Sequence, residues 1–133
     1  MSQLLPIVRH VILCEDVVAD ALNPRRVSVI GILSAISSED DPAYPVLYEE
    51  LCIFLQLTGC RGPGDIRIDV QFADTGDVAF QNRTRTLQLP VDPLEIAVFV
   101  FRIRNCLFLQ PGLYWVRVWY NNQQLAQQPL VLK

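Results

Sequence analysis

The stretch from Ile96 to Tyr120 limits the fold more than any other part of the chain. It reads Ile96-Ala97-Val98-Phe99-Val100-Phe101-Arg102-Ile103-Arg104, breaks at Phe108-Leu109-Gln110-Pro111-Gly112, and resumes as Leu113-Tyr114-Trp115-Val116-Arg117-Val118-Trp119-Tyr120. β-Branched and aromatic side chains crowd both runs, and such residues pack best on a pleated, half-buried surface. The Pro-Gly pair between them is a turn signal. Two strands around one turn are expected here.

The rest of the chain repeats the pattern. Residues 5–18 read as a first strand. Asn23-Pro24-Arg25-Arg26 is a turn, and Val27 to Ile36 a second strand with Gly31 inside it, where a bulge is expected. Leu51 to Thr58 is a third strand. It places Leu51, Ile53, Leu55 and Leu57 on one face and Cys52, Phe54, Gln56 and Thr58 on the other. Asp65 to Ala73 alternates most cleanly, with Ile66, Ile68, Val70 and Phe72 against Arg67, Asp69 and Gln71. Asp74-Thr75-Gly76-Asp77 turns the chain into Val78–Leu89, and Pro90-Val91-Asp92-Pro93 turns it again. After Asn121-Asn122 the last strand runs from Leu125 to Leu132, where Pro129 argues for a sheet edge. About eight strands with regular turns, and no helical period, predict an all-β, antiparallel β-sandwich in a single domain spanning 1–133.

Composition narrows the function classes. Apolar residues make up 51% of the 133 and charged ones 19%, so the chain can bury a real core, and low surface charge favours self-association. A net charge of −3 sets nucleic acid aside as a partner, because phosphate contacts dominate that affinity. Met-Ser-Gln-Leu-Leu-Pro lacks the basic and apolar regions of a secretory signal, and no run is long enough for a membrane helix. A cytoplasmic protein without membrane contact is expected. Cys14, Cys52, Cys60 and Cys106 are then expected to be reduced thiols acting as small hydrophobes.

Gln110-Pro111-Gly112-Leu113-Tyr114-Trp115-Val116 resembles the tyrosine corner of immunoglobulin-like domains, in which a Tyr hydroxyl bonds back to the chain after a turn. The resemblance implies that Pro111, Gly112 and Tyr114 form a structural corner, while Val116 stands where antibody domains carry a disulfide Cys. A second resemblance covers nearly the whole chain. It rests on Cys14-Glu15-Asp16 leading to Val29-Ile30-Gly31-Ile32, on Leu51–Thr58 before a Pro-Gly turn, and on Phe108–Tyr114 followed by Leu125-Ala126-Gln127-Gln128-Pro129-Leu130. These pieces are similar to a family of small uncharacterised bacterial proteins, a domain of unknown function. That resemblance implies a β-sandwich and no established activity.

If Tyr114 faces inward, Trp115, Arg117 and Trp119 line the outer face, and two Trp flanking an Arg have the composition of a binding hot spot. Cover by another part of the chain is the bland alternative. If Pro90–Pro93 closes a hairpin, Arg83, Arg85, Arg102 and Arg104 share one face, as an anion groove or, more simply, a solvated one. His10 is the sole His, no Cys-x-x-Cys occurs, and Glu39-Asp40-Asp41 reads as a solvated loop, so no metal or cofactor is expected. Asn82-Arg83-Thr84 matches a glycosylation acceptor by chance. No nucleotide, hydrolase or metalloprotease motif is present. The expected function is therefore a non-enzymatic cytoplasmic module acting through protein–protein contact or self-association at Trp115, Arg117 and Trp119. The alternative is a small-ligand module in which a carbohydrate or metabolite stacks on the two Trp.

Overall fold

The computed structural model of the protein describes residues 5–133. The sequence expectation drawn from residues 1–4 lies outside them. Among the described residues ten strands form: β1 (Ile7–Ala19), β2 (Val27–Ile32), β3 (Ala35–Ile36), β4 (Val46–Thr58), β5 (Gly64–Phe72), β6 (Val78–Gln81), β7 (Arg85–Leu87), β8 (Ala97–Phe108), β9 (Gly112–Tyr120) and β10 (Gln123–Leu132). They make two sheets. The first has the order β2-β1-β4-β8; the second has β3-β10-β9-β5-β6, with β7 also pairing β5.

The expected count of about eight strands is corrected to ten, and two local breaks explain the difference. Val27–Ile36 is not one strand. β2 stays with β1 in the first sheet, whereas β3 crosses to the second and pairs in parallel with Val131 and Leu132 of β10. Gly31, at φ +65°, sits just before the crossing, and a Cβ there would meet the Glu15 side chain at 2.8 Å. Val78–Leu89 breaks at Asn82. The Asn82 side chain accepts from the Ile68 amide at 2.8 Å while its own amide donates to the Ile68 carbonyl at 3.1 Å, so one residue takes up both ladder groups.

The core fills the space between the sheets. Leu51, Ile53, Leu55 and Leu57 of β4 face Ile66, Ile68, Val70 and Phe72 of β5 and Tyr114, Val116, Val118 and Tyr120 of β9, all buried. These are the inward sets that alternation assigns. Phe99 and Phe101 are only partly buried, because β8 is the free edge of the first sheet. Beside Pro129, β10 has only β9 as a ladder partner, so a missing amide costs no sheet hydrogen bond there. Asn121 and Asn122, at φ 46° and 64°, make the two-residue turn from β9 to β10, with the left-handed conformation that Asn tolerates.

At the crossing from β8 to β9 the Tyr114 hydroxyl donates to the Gln110 carbonyl at 2.7 Å. Its ring packs 4.9 Å from Phe72 of the second sheet and 4.9 Å, edge-on, from Phe108 of the first. Tyr114→Phe keeps this packing and removes one hydrogen bond. The expected loss is about 1 kcal/mol, read as a lower denaturant midpoint at unchanged slope.

The arginine grouping is corrected. Pro90–Pro93 does not close a hairpin within a sheet: Arg85 lies on β7 of the second sheet, and Arg102 and Arg104 lie on β8 of the first. The four arginines therefore share no face.

Candidate binding face on the second sheet

β5 and β9 are neighbours, and their register sets the candidate site. Arg67 stands opposite Trp119, Asp69 opposite Arg117, and Gln71 opposite Trp115. On the other side of β9, β10 places Gln124 beside Trp119, Gln127 beside Arg117 and Pro129 beside Trp115. Tyr114, Val116, Val118 and Tyr120 point into the core, so Trp115, Arg117 and Trp119 occupy the outer face, each half-buried.

Asp69 organises this face. It is the one buried charged residue among those described, at 1% exposure. Arg117 clamps it with two donors, Nε to Oδ1 at 2.6 Å and Nη2 to Oδ2 at 2.9 Å. The Trp119 indole Nε1–H donates to Oδ2 at 2.9 Å, and Arg67 Nη1 lies 3.9 Å from the same oxygen. A buried carboxylate needs this many donors to offset lost hydration. Both guanidinium groups also sit over the Trp119 ring, Arg67 at 4.9 Å and Arg117 at 5.0 Å from its centroid. Such cation–π contacts contribute about 0.5–2 kcal/mol. Two guanidinium groups against one carboxylate leave one excess positive charge on a flat aromatic surface.

The outward placement of Trp115, Arg117 and Trp119 was legible from alternation. Alternation marks Asp69 and Arg67 only as part of a polar strand face. Their role depends on which strand lies next to β5, and no local pattern carries that.

A second polar cluster lies on the outward side of the first sheet. Arg102 donates from Nη1 to Glu50 Oε1 at 2.9 Å and to Cys52 Sγ at 3.0 Å, and from Nη2 to Asp16 Oδ1 at 3.0 Å. The Val17 amide and then Arg102 hold the Asp16 carboxyl below its usual range, and the hydrogen bonds to Glu50 and Asp16 raise Arg102 further. The four cysteines are buried free thiols, and burial pushes Cys106 up to about 12. His10 is exposed and pairs with Gln56. A groove of about 680 Å³ also opens on this side, lined by Pro24 and Arg25 of the β1–β2 connection, by Val27 of β2 and by Gln56, Ile96 and Val98.

Fold and site together define an all-β chain of two sheets with a pre-set arginine–tryptophan face. A family model described as a family of unknown function, DUF6941, matches residues 9–133, and the chain belongs to that family. No curated protein matches. A solved structure, the Pseudomonas fluorescens alkylpurine DNA glycosylase AlkC bound to DNA containing an abasic site analog, is similar at TM-score 0.61 and 11% identity. The similarity covers 99% of this chain, and the chain spans 31% of the glycosylase.

At that identity the likeness is one of fold, and it still corrects two expectations. An all-β chain without a recognisable motif was expected not to be an enzyme, yet this fold occurs within a DNA glycosylase. Nucleic acid was set aside in favour of a protein partner or self-association, yet this fold occurs in a DNA-bound protein. The physical reason is that net charge describes the whole chain, whereas binding depends on the local field of one face. No helix among the described residues is long and apolar enough to cross a membrane.

Proposed function

We propose that this chain is a nucleic-acid-binding module whose contact face is the Arg67–Trp119–Arg117 row together with Trp115. The observation that carries this reading is the buried Asp69, which holds Arg117 and Trp119 in place before any ligand arrives. A face ordered in advance loses little side-chain entropy on binding. Aromatic faces stack on bases, and guanidinium groups pair with phosphate. The DNA-bound glycosylase of similar fold supports the same class of ligand. Under this reading the two sheets are an immunoglobulin-like sandwich with Tyr114–Gln110 as its tyrosine corner, and the four free thiols support a bacterial cytoplasmic setting.

The charge balance sets the strength. One excess positive charge on the face, within a chain of net charge −3, allows one or two phosphate contacts. Each contributes a salt slope of about −0.7 on a single strand, so affinity is expected near the non-specific range of about 10⁻⁴–10⁻⁶ M. A second reading has its own observation. Gln71 beside Trp115 and the Gln124–Gln127 amide pair beside Trp119 also suit the hydroxyl groups of a sugar.

Fluorescence anisotropy of a labelled single-stranded oligonucleotide, titrated at two salt concentrations, separates the two. Trp115→Ala is expected to weaken binding at least fivefold, since one base stack contributes about 1–3 kcal/mol. Arg67→Gln is expected to flatten the salt slope while leaving Asp69 paired with Arg117. Affinity unchanged by either substitution would overturn the proposal. Salt-independent binding of a sugar that quenches Trp fluorescence would favour the second reading.

A further inference from the structure

We propose that Cys14 and Cys52 are an oxidisable dithiol that a hydroperoxide converts to a cross-strand disulfide, fixing the root of the β1–β2 arm. The inference is independent of the binding face. Cys14 of β1 stands directly opposite Cys52 of β4, the last pair in the β1–β4 ladder. Side chains at directly opposed positions of antiparallel strands lie on the same side of the sheet, with Cβ atoms about 4.5–5.5 Å apart, so the strands must close by up to about 1 Å to reach the roughly 3.5–4.5 Å of a disulfide. Beyond Cys14, β1 pairs with β2 alone, over Cys14–Ala19. The pair therefore marks the point where a two-stranded arm leaves the sheet.

The surroundings set how the pair reacts. Leu51, Ile53, Leu55 and Leu57 point into the core, so Cys52 points away from it, yet it is fully buried. Its thiol donates to the Glu15 carbonyl at 3.3 Å, at the start of the arm. The Cys14 thiol contacts the Cys52 carbonyl at 3.7 Å. Arg102 places a guanidinium N–H 3.0 Å from Cys52 Sγ, and its side chain is 37% exposed, so a cation reachable from solvent touches that sulfur. Burial raises both thiols from their ordinary value, while Arg102 acts on Cys52 in the opposite sense. Both residues are 0% exposed, so a peroxide reaches them only through an opening of the arm, and the Arg102 contact marks Cys52 as the sulfur that attacks first. The arm is poorly held: β2 is a sheet edge, and Leu22 at the tip is 97% exposed.

The chemistry balances with one oxidant. Cys52 gives up its proton and its sulfur attacks one peroxide oxygen. The O–O bond breaks, and the other oxygen leaves as an alcohol, or as water from hydrogen peroxide, carrying that proton. Cys52 is then a sulfenic acid. The Cys14 sulfur attacks it, the S–S bond forms, the S–O bond breaks, and the hydroxyl leaves as water with the Cys14 proton. Two thiols and one hydroperoxide yield one disulfide, one alcohol and one water.

The test is peptide mapping by mass spectrometry after the folded protein is treated with hydrogen peroxide. The expected product is a single Cys14–Cys52 link, reversed by a dithiol reductant, with Cys60 and Cys106 still free. In Cys14→Ser, Cys52 is expected to stop as a sulfenic acid that a cyclic dione traps. Arg102→Ala is expected to slow oxidation several-fold at unchanged far-UV circular dichroism. Cys14 and Cys52 staying reduced in the folded protein, or Cys60 and Cys106 oxidising at the same rate, would overturn the proposal.

Discussion

Arg117→Ala is expected to destabilise the protein by about 3–5 kcal/mol, a large part of the roughly 5–15 kcal/mol that holds a domain of this size together. The cost comes from the group left behind. Asp69 has a side chain 2% exposed and loses both Arg117 hydrogen bonds, keeping only Trp119 Nε1–H and a distant Arg67. It cannot turn to water, because β6 and β9 flank it on either side. The reverse truncation is expected to be milder, at about 1–2 kcal/mol, because Arg117 is 16% exposed and its long side chain can reach solvent. The double variant Asp69→Leu/Arg117→Leu is expected to recover most of the loss, since an apolar pair removes the stranded charge. Urea melts of the wild type, the two truncations and the double variant measure these differences. Equal costs for the two single truncations would show that Asp69 reaches water after all.

Gly112→Ala is expected to cost about 3 kcal/mol. Gly112 has φ +136°, a conformation that side chains rarely adopt, and an added Cβ would lie 2.8 Å from Phe72 Cε1 and 3.3 Å from Cζ. The backbone contributes about 1–3 kcal/mol and the overpacking a similar amount. Phe72 cannot yield freely, because its ring already packs on Tyr114 at 4.9 Å. Gly62→Ala separates the two contributions. Gly62 has φ +96°, but nothing lies within 4 Å of the added Cβ, so only the backbone cost remains. If both variants melt alike in thermal scans, Phe72 has moved aside and the turn before β9 is looser than its packing implies.

Tyr114 and Trp115 show how far local pattern reaches. Alternation along Leu113–Tyr120 places Tyr114, Val116, Val118 and Tyr120 in the core and leaves Trp115, Arg117 and Trp119 outside, and the fold agrees. Period two is a property of the backbone, so it survives any arrangement of neighbours. Arg83, Arg85, Arg102 and Arg104 show where it stops. Sequence order puts the two pairs on successive strands, but Pro90–Pro93 carries the chain from one sheet to the other. A turn signal marks that the chain bends and is silent on which sheet it joins next.

The arginine–tryptophan face combines both kinds of information. Its outward side chains, the Pro111-Gly112 turn and the Tyr114 that follows are written in the order of residues, because side-chain direction and turn preference act over a few bonds. The partnership of Asp69 with Arg117, and of Cys14 with Cys52, is not. Asp69 and Arg117 are 48 positions apart, and Cys14 and Cys52 are 38 apart. Strand order and register bring them together, and burial of the apolar faces of β4, β5 and β9 sets both. That burial is a property of the whole chain packing at once, so it chose which polar groups meet on the outside.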